Sequence, residues 1–355
     1  MGTELTLAAA LRDIEHDQAQ IRNVAIRNLA PALLDELGLR PPVWWDRVEH
    51  PQRDAVVTAL DHACDDPAPQ NAALACVGLA ELAAPVALPR ALEALALERD
   101  DDAAMFIREC GVICLSLLGA AARNFLDEPD GVSPEAQDRA RELHQRVLSE
   151  LRELVGDERA DVRYQIGPAL VEVGGESVEP ELLAAFERED HKDVRANLIA
   201  AISLLDPPGG KACDLLAAVL DTDEGKGEIG WEAAMALTAA RRPEGAGRLI
   251  EGLRRQATRD RALEALAVLG RNAPPEAAAA VRRYSKGFLV TAFTRVRAAY
   301  ALARIEPERG AGLLGRLAKH PRPAVREAVA EARANLAKLE RDESEPSTRG
   351  AYRRE

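Results

Sequence analysis

The sequence predicts an all-α fold, a right-handed α-solenoid of about nine antiparallel helix pairs. Three observations lead to this fold class. The phrase Asp161-Val162-Arg163 returns as Asp193-Val194-Arg195 about 32 residues later. Small or aliphatic residues follow each copy at the spacing that marks one buried face of a helix. Aromatic residues make up only 3% of the 355 residues, which suits a stack of alanine- and leucine-rich helices.

The repeat describes one helix, and we number it from the Val162 position, called slot 0. Slots 4, 7, 8 and 11 form the buried stripe. In the copy that starts at Val162 these slots are occupied by Ile166, Ala169, Leu170 and Val173. The aspartate before slot 0 can cap the helix N-terminus. The arginine at slot 1 can reach the aspartate of the next repeat. The spacing therefore predicts a structural ladder of Asp161, Arg163, Asp193 and Arg195.

The same pattern recurs along the whole chain. Slot 0 falls at Ile21, Ala68, Ile107, Val162, Val194, Ile229, Thr258, Thr294 and Val325. Intervals of about 29 to 36 residues from Val162 onward are typical of stacked helical repeats. The copy at Ala68 fits poorly, because Pro69 stands where the arginine belongs.

The second helix of each pair resembles the HEAT repeat, in particular the short variety named after the phycobilisome lyases, which reads V-R-x-x-A-A-x-A-L-G-x-I. Ile107-Arg108, followed by Gly111 and Cys114-Leu115, matches this pattern closely. The resemblance implies that the second helices line the concave face of a solenoid. It transmits no activity by itself.

The predicted organisation is a single solenoid over residues 1–340 with loop insertions near 38–50 and 119–132, followed by a disordered tail at 341–355. Trp44 and Trp45 lie in the first insertion. Paired tryptophans in a loop either form a binding hot spot or fold back over an open end of the core. The second insertion either forms part of a binding site or is a surface loop.

Charge limits the choice of partner. The net charge of −13 argues against a nucleic-acid or anionic-membrane surface as the main role. Arginines gather at slot 1, where they form either an internal Asp–Arg ladder or a phosphate-binding stripe. The chain contains no run of 18 apolar residues and no basic-then-apolar leader. We therefore expect a cytoplasmic protein without a membrane span.

No catalytic, metal or cofactor site is expected. The five cysteines are read as free buried thiols, and Cys110 with Cys114 lacks a third metal ligand. Gly209-Gly210-Lys211 lacks the rest of a phosphate-binding loop. No histidine precedes a glutamate, unlike in the di-iron deoxyhypusine hydroxylases, a HEAT-repeat enzyme family whose ligands are His-Glu pairs.

Slots 2, 3 and 6 of the second helices point away from the core and predict a partner-binding ridge. Its residues are Tyr164, Gln165, Asn197, Trp231, Glu232, Met235, Arg261, Arg297 and Tyr300. Aromatic, methionine and arginine side chains are typical anchors of protein interfaces, although the aromatic rings are alternatively buried between helices. If the ridge binds a partner, Trp231 is exposed, and we expect Trp231→Ala to leave the melting temperature unchanged while abolishing partner capture.

The predicted function is accordingly a protein-interaction scaffold that binds another protein on the concave face. The alternative is an enzyme or enzyme subunit, similar either to the bilin lyases or to DNA glycosylases built from HEAT-like repeats, which hold DNA in a basic groove.

Overall fold

The computed structural model describes residues 5–128, 133–222, 226–286 and 290–344. These residues form helices and connecting turns without any strand, so the all-α prediction is confirmed. Packing divides the chain into two compact units, Met1–Ile202 (unit 1) and Ser203–Glu355 (unit 2). Each unit is described by itself, and one continuous solenoid over residues 1–340 stays a prediction.

The described part of unit 1 consists of helix pairs, each with a first and a second helix. In chain order they are α1 (Leu7–Asp13) and α2 (Ala19–Glu36), α3 (Arg53–Ala63) and α4 (Pro69–Glu81), α5 (Ala87–Leu95) and α6 (Asp102–Asp127), α7 (Pro134–Leu154) and α8 (Ala160–Gly174), and α9 (Glu179–Arg188) and α10 (Lys192–Ser203). Every slot 0 predicted for this half falls on or next to a second helix.

Unit 2 continues the alternation. Its helices are α11 (Gly210–Leu220) and α12 (Glu228–Ala239), α13 (Ala246–Gly252) and α14 (Gln256–Leu269), α15 (Pro275–Lys286) and α16 (Ala292–Ile305), and α17 (Pro307–Leu317) and α18 (Pro323–Ser344). Because α18 ends at Ser344, residues 341–344 are helical rather than part of a tail. The rest of the predicted tail, residues 345–355, lies outside the described residues.

The buried stripe of the repeat is where the sequence predicts it. In the helices whose slot 0 is Ile107, Val162, Val194 or Thr258, all of slots 4, 7, 8 and 11 are buried. Their leucine and isoleucine side chains each contribute roughly 1.5–3 kcal/mol by leaving water. The period of the apolar pattern therefore determines which side of each second helix faces the core.

The predicted register of the second pair is wrong by three residues. Slot 0 of α4 lies at Asn71, not Ala68, because slots 4, 7, 8 and 11 counted from Asn71 are all buried. Pro69 is instead the first residue of α4, a position that tolerates proline because its missing N–H has no helical partner. Asn71 is buried and donates from Nδ2 to the Ala19 carbonyl at 3.1 Å.

The slot-1 arginines share a contact within their own pair. Nη1 of Arg22 donates to the His16 and Asp17 carbonyls at 2.8 and 2.9 Å, six and five residues earlier in the chain. Arg163 and Arg326 donate to carbonyls at the same two positions. Each arginine thus ties down the turn that leads into its helix, a role that the sequence analysis did not anticipate.

In unit 1 three of these arginines also bridge to the next pair. Arg22 Nε lies 2.6 Å from Asp66, Arg108 Nε 2.9 Å from Asp161, and Arg163 Nε 2.7 Å from Glu189. The first bridge holds the pKa of Asp66 at about 2. These bridges support the reading of the slot-1 arginines as an internal ladder.

Two details of the predicted ladder are wrong. Arg163 pairs with Glu189, in the turn before α10, and not with Asp193, which is exposed. Glu189 takes this role because its other oxygen accepts the His191 N–H at 2.9 Å, which fixes the carboxylate beside the turn. Asp161 and Asp193 lie in the first turns of their helices rather than at the cap, where their charge still favours the helix N-terminus. Arg195 stacks over the Phe186 ring at 4.0 Å.

The loop insertion near 38–50 is present and is fastened to the core. Trp44 is buried and stacks on Phe125 of α6 with ring centroids 5.3 Å apart. Its Nε1 donates to Asp46, which pairs with Arg139 of α7. The Arg53 guanidinium covers Trp45 at 4.3 Å. Trp44 therefore covers core, as the second of the two readings has it, while Trp45 is half-buried beneath Arg53.

The insertion predicted at 119–132 is mostly helical. Residues 119–127 are the last turns of α6, because Gly119, Ala122 and Phe125 are buried against the rest of unit 1. Residues 129–132 lie outside the described residues.

By length and mean hydropathy, α6 is one helix that would be able to cross a membrane. More than half of its most apolar window is buried inside unit 1, as in the core helix of a folded domain.

Candidate partner-binding surfaces on the second helices

The predicted ridge falls on both units, and each part is described in its own unit. We call the residues at slots −2, 2, 3 and 6 of the second helices the second-helix surface. These positions lie opposite the buried stripe, because a helix advances 3.6 residues per turn.

In unit 1 this surface is apolar along α6 and α8. Met105 and Ile113 of α6 are 40% and 39% exposed, and Tyr164 of α8 is 39% exposed. Met105 and Ile113 are separated by two helical turns and therefore lie on one side of α6. The described residues contain four other exposed large apolar side chains, Val24, Leu204, Val268 and Phe293, and Met105, Ile113 and Tyr164 differ from them in lying together on two adjacent second helices.

Two contacts fix how α6 and α8 lie against each other. Arg108 of α6 pairs with Asp161 of α8 near their N-terminal ends, and Gly119 approaches Val173 near their C-terminal ends. A Cβ at Gly119 would lie 2.5 Å from Cγ2 of Val173, so the two helices are in close contact there. The helices are consequently parallel neighbours, with Tyr164 at a level between those of Met105 and Ile113.

A carboxyl group lies within this apolar surface. Glu109 stands one turn from both Met105 and Ile113 and is half-buried. Burial raises its pKa, and the nearby charge of Asp161 adds to the effect. The described residues place no cation in an ion pair with Glu109. The sequence analysis missed Met105, Glu109 and Ile113, although their spacing of four residues on one helix is a readable signal.

The other predicted ridge residues of unit 1 continue the surface. Asn197 of α10 donates from Nδ2 to the Tyr164 carbonyl on α8, and Gln165 and Asn197 are both half-buried. The three residues predicted here, Tyr164, Gln165 and Asn197, are thus neighbours in unit 1.

In unit 2 the second-helix surface is laced by ion pairs. Glu232 of α12 lies 3.5 Å from Arg261 of α14, and Arg297 of α16 lies 2.8 Å from Asp260 and 3.4 Å from Glu264. The predicted anchors Met235 and Tyr300 are partly buried and pack against the unit 2 core. These charges are therefore at least partly satisfied within the fold.

The expectation that Trp231 is exposed is wrong. Its ring is half-buried against the unit 2 core, and a Cβ at Gly252 would lie only 2.4 Å from Cζ3 of the ring. The missing Cβ at Gly252 leaves the room in which the ring packs onto its own unit. The indole Nε1 is buried and has no acceptor among the described residues. A cleft of about 390 Å³ beside the ring is lined by Glu228, Arg255 and Arg261, among others.

The cysteines of unit 1 gather where the sequence showed only scattered thiols. Sγ of Cys114 lies 3.3 Å from Sγ of Cys76, and the Cys64 thiol is close enough to Cys76 to affect its pKa. The hydrogen bond with Cys114 and burial raise the pKa of Cys76, the nearby Cys76 thiol and burial raise the pKa of Cys64, and burial raises the pKa of Cys110 to about 11. Thiols so held stay protonated. Across the described ranges, no group of three or more metal-ligating side chains converges.

The comparisons with known proteins bear on the fold. No protein-family model and no curated protein sequence matches the chain. The solved structure of the Escherichia coli protein YibA is similar over 85% of this chain and 93% of its own, with 14% identity and a TM-score of 0.54. This likeness shows a shared helical-repeat fold.

Two further solved structures are less similar. The complex of CpcE and CpcF of phycocyanin lyase from Nostoc sp. PCC7120 is 16% identical over 88% of this chain and 94% of its own, with a TM-score of 0.35. Human deoxyhypusine hydroxylase is 18% identical over 92% of this chain and 94% of its own, with a TM-score of 0.32. At these TM-scores neither structure carries an argument about function.

Proposed function

We propose that this chain is a cytoplasmic scaffold of the HEAT-like kind that binds another protein through the second-helix surface of unit 1. One observation carries the proposal. Met105, Ile113 and Tyr164 form an open apolar row on two adjacent helices whose opposite sides are fully packed. Exposed apolar side chains grouped in this way are typical of interaction sites on soluble proteins.

The second-helix surface of unit 2 fits this role less well. On α12, α14 and α16 its charged members pair with one another, and its aromatic members pack on the core. A partner would have to break those ion pairs before gaining its own contacts, whereas the apolar row in unit 1 only has to lose water.

The test is affinity capture from native cell extract with two matched double variants. Ile113→Ser with Tyr164→Ala removes the apolar row of unit 1. Val268→Ser with Phe293→Ala removes an equally exposed aliphatic and aromatic pair from unit 2, 45% and 47% exposed.

We expect the wild type and the unit 2 variant to retain the same proteins and the unit 1 variant to lose them. Truncation of each anchor weakens binding by about 2 kcal/mol. Melting temperatures within a few degrees of wild type are required of both variants. Equal retention by all three proteins contradicts the proposal.

A further inference from the structure

The unit 1 surface has a chemical character of its own. Residues 1–202 contain 38 acidic and 19 basic side chains, a net charge of −19, whereas residues 203–355 contain 21 acidic and 27 basic side chains, a net charge of +6. The apolar row therefore belongs to a strongly acidic unit. A cationic partner is drawn toward such a unit and approaches it faster than a neutral or acidic one.

Glu109 lies in the middle of this row. Met105, Glu109 and Ile113 are spaced four residues apart and form one stripe along α6. The carboxyl of Glu109 has lost part of its water to the protein and faces the charge of Asp161. A half-buried carboxyl beside another carboxylate is stabilised by any cation that reaches it.

The arginine next to Glu109 points into the unit, where its Nε and Nη1 are hydrogen-bonded and its Nη2 is buried without a hydrogen-bond partner among the described residues. Arg108 is 1% exposed, pairs with Asp161 and donates to the carbonyls of Leu97 and Arg99. It is packed inside the unit, whereas Glu109 lies on the open side of the same helix. Glu109 therefore has no cation paired with it among the described residues, and its carboxyl is open to a cation of a partner.

We propose that the second-helix surface of unit 1 receives an amphipathic, basic segment of another protein. Apolar side chains of that segment cover Met105, Ile113 and Tyr164, and one of its lysines or arginines pairs with Glu109. This inference rests on the proposed function and specifies the chemistry of the partner. An acidic or purely apolar segment is disfavoured, because it would bury Glu109 without a counter-charge.

The experiment uses the full chain and two labelled helical peptides of roughly 18 residues. One peptide is built from leucine and lysine on opposite faces, and the other has glutamate in place of every lysine. Binding is followed by fluorescence anisotropy at near-physiological salt, so that long-range charge effects are screened. The proteins are wild type, Glu109→Gln, Glu109→Lys, the Ile113→Ser/Tyr164→Ala variant, and Glu142→Gln as a matched loss of one exposed carboxylate on α7.

The lysine peptide is expected to bind wild type and Glu142→Gln with Kd values within about twofold of each other. Glu109→Gln is expected to weaken it by about tenfold. Glu109→Lys is expected to weaken it further and to bind the glutamate peptide more tightly than wild type does.

Two outcomes separate the inference from the proposed function. If the Ile113→Ser/Tyr164→Ala variant loses the lysine peptide while Glu109→Gln and Glu109→Lys bind as wild type does, the row is a binding site but the ion pair is wrong. If that variant binds as wild type does and Glu142→Gln weakens binding as much as Glu109→Gln, the peptide responds only to the overall negative charge. Both the proposed binding surface and the Glu109 ion pair are then wrong.

Discussion

Unit 1 and unit 2 are built from the same repeat but differ in how their arginines and carboxylates are used. In unit 1 the slot-1 arginines Arg22, Arg108 and Arg163 bridge to the next pair through ion pairs. In the described part of unit 2, Arg259, Arg295 and Arg326 donate to carbonyls of the turns before their own helices and make no ion pair.

The second-helix surfaces differ in the opposite sense. Ion pairs join neighbouring second helices on the unit 2 surface, whereas the unit 1 surface shows an apolar row and a carboxyl without a cation. In unit 1 the slot-1 arginines pair with carboxylates between helix pairs, and the second-helix surface is left open to a partner. In unit 2 the ion pairs lie on the second-helix surface and hold neighbouring second helices together.

The largest effect is expected from Arg108→Ala. The side chain is buried, and its loss leaves Asp161 and two carbonyls without their donor. We expect a loss of about 4 kcal/mol in the free energy of unfolding. The matched change in unit 2, Arg326→Ala, removes only exposed hydrogen bonds to carbonyls and is expected to cost less than about 1 kcal/mol. Urea unfolding of both variants measures the difference, and equal losses would remove the distinction between the two ladders.

Trp231→Ala tests whether the unit 2 surface is part of its core. Because the ring packs on Gly252 and the core, we expect a loss of about 3 kcal/mol in the free energy of unfolding. This reverses the expectation from sequence that the melting temperature stays unchanged. Phe293→Ala, at a 47% exposed aromatic on α16, is the control and should change stability by well under half as much. Unchanged melting of Trp231→Ala would restore the ring as a surface anchor.

The smallest effect is a pH dependence that belongs to unit 1. Glu81 ends α4, its carbonyl accepts the Val43 N–H of the tryptophan loop, and burial raises its pKa to about 7. A folded-state pKa above the unfolded value means that the folded chain binds more protons at this carboxyl. The contribution of Glu81 to stability is therefore fully present below about pH 4.5 and is lost as pH rises through 7. This carboxyl alone should contribute a fall on the order of 2 kcal/mol between pH 4.5 and 8.

Glu81→Gln removes that contribution. Between pH 5 and 8 its denaturation midpoint is expected to fall less than that of wild type, as followed by circular dichroism. Parallel midpoints for the two proteins across this range would show that the Glu81 carboxyl remains hydrated. The opposite behaviour is expected below pH 4, where protonation of Asp66 weakens its bridge to Arg22.

Much of the repeat was readable in the sequence, because a buried helix face requires apolar side chains at a fixed period. The slots that follow Val162 and Val194 are buried as predicted, and each second helix begins close to its predicted slot 0. The second pair was misread by three residues because its α4 begins with Pro69 and its slot 0 is a polar Asn71. The net charges of residues 1–202 and 203–355 can also be counted from the sequence, but the net charge of the whole chain does not show that they have opposite signs. The net charge of −13 therefore disfavours nucleic acid as a partner of the whole chain but not of residues 203–355 alone, whose net charge is +6.

The sequence by itself determined the all-α class, the helix pairs and the side of each helix that faces the core, since these follow from local periodicity. Only the tertiary structure decided which carboxylate pairs with which arginine: Arg163 forms an ion pair with Glu189 and not with Asp193. It also decided that Trp231 packs inward while Ile113 stays open. These outcomes depend on the separation and offset of neighbouring helices, which close contacts such as Gly119 with Val173 set to fractions of an ångström. No single helix encodes that spacing.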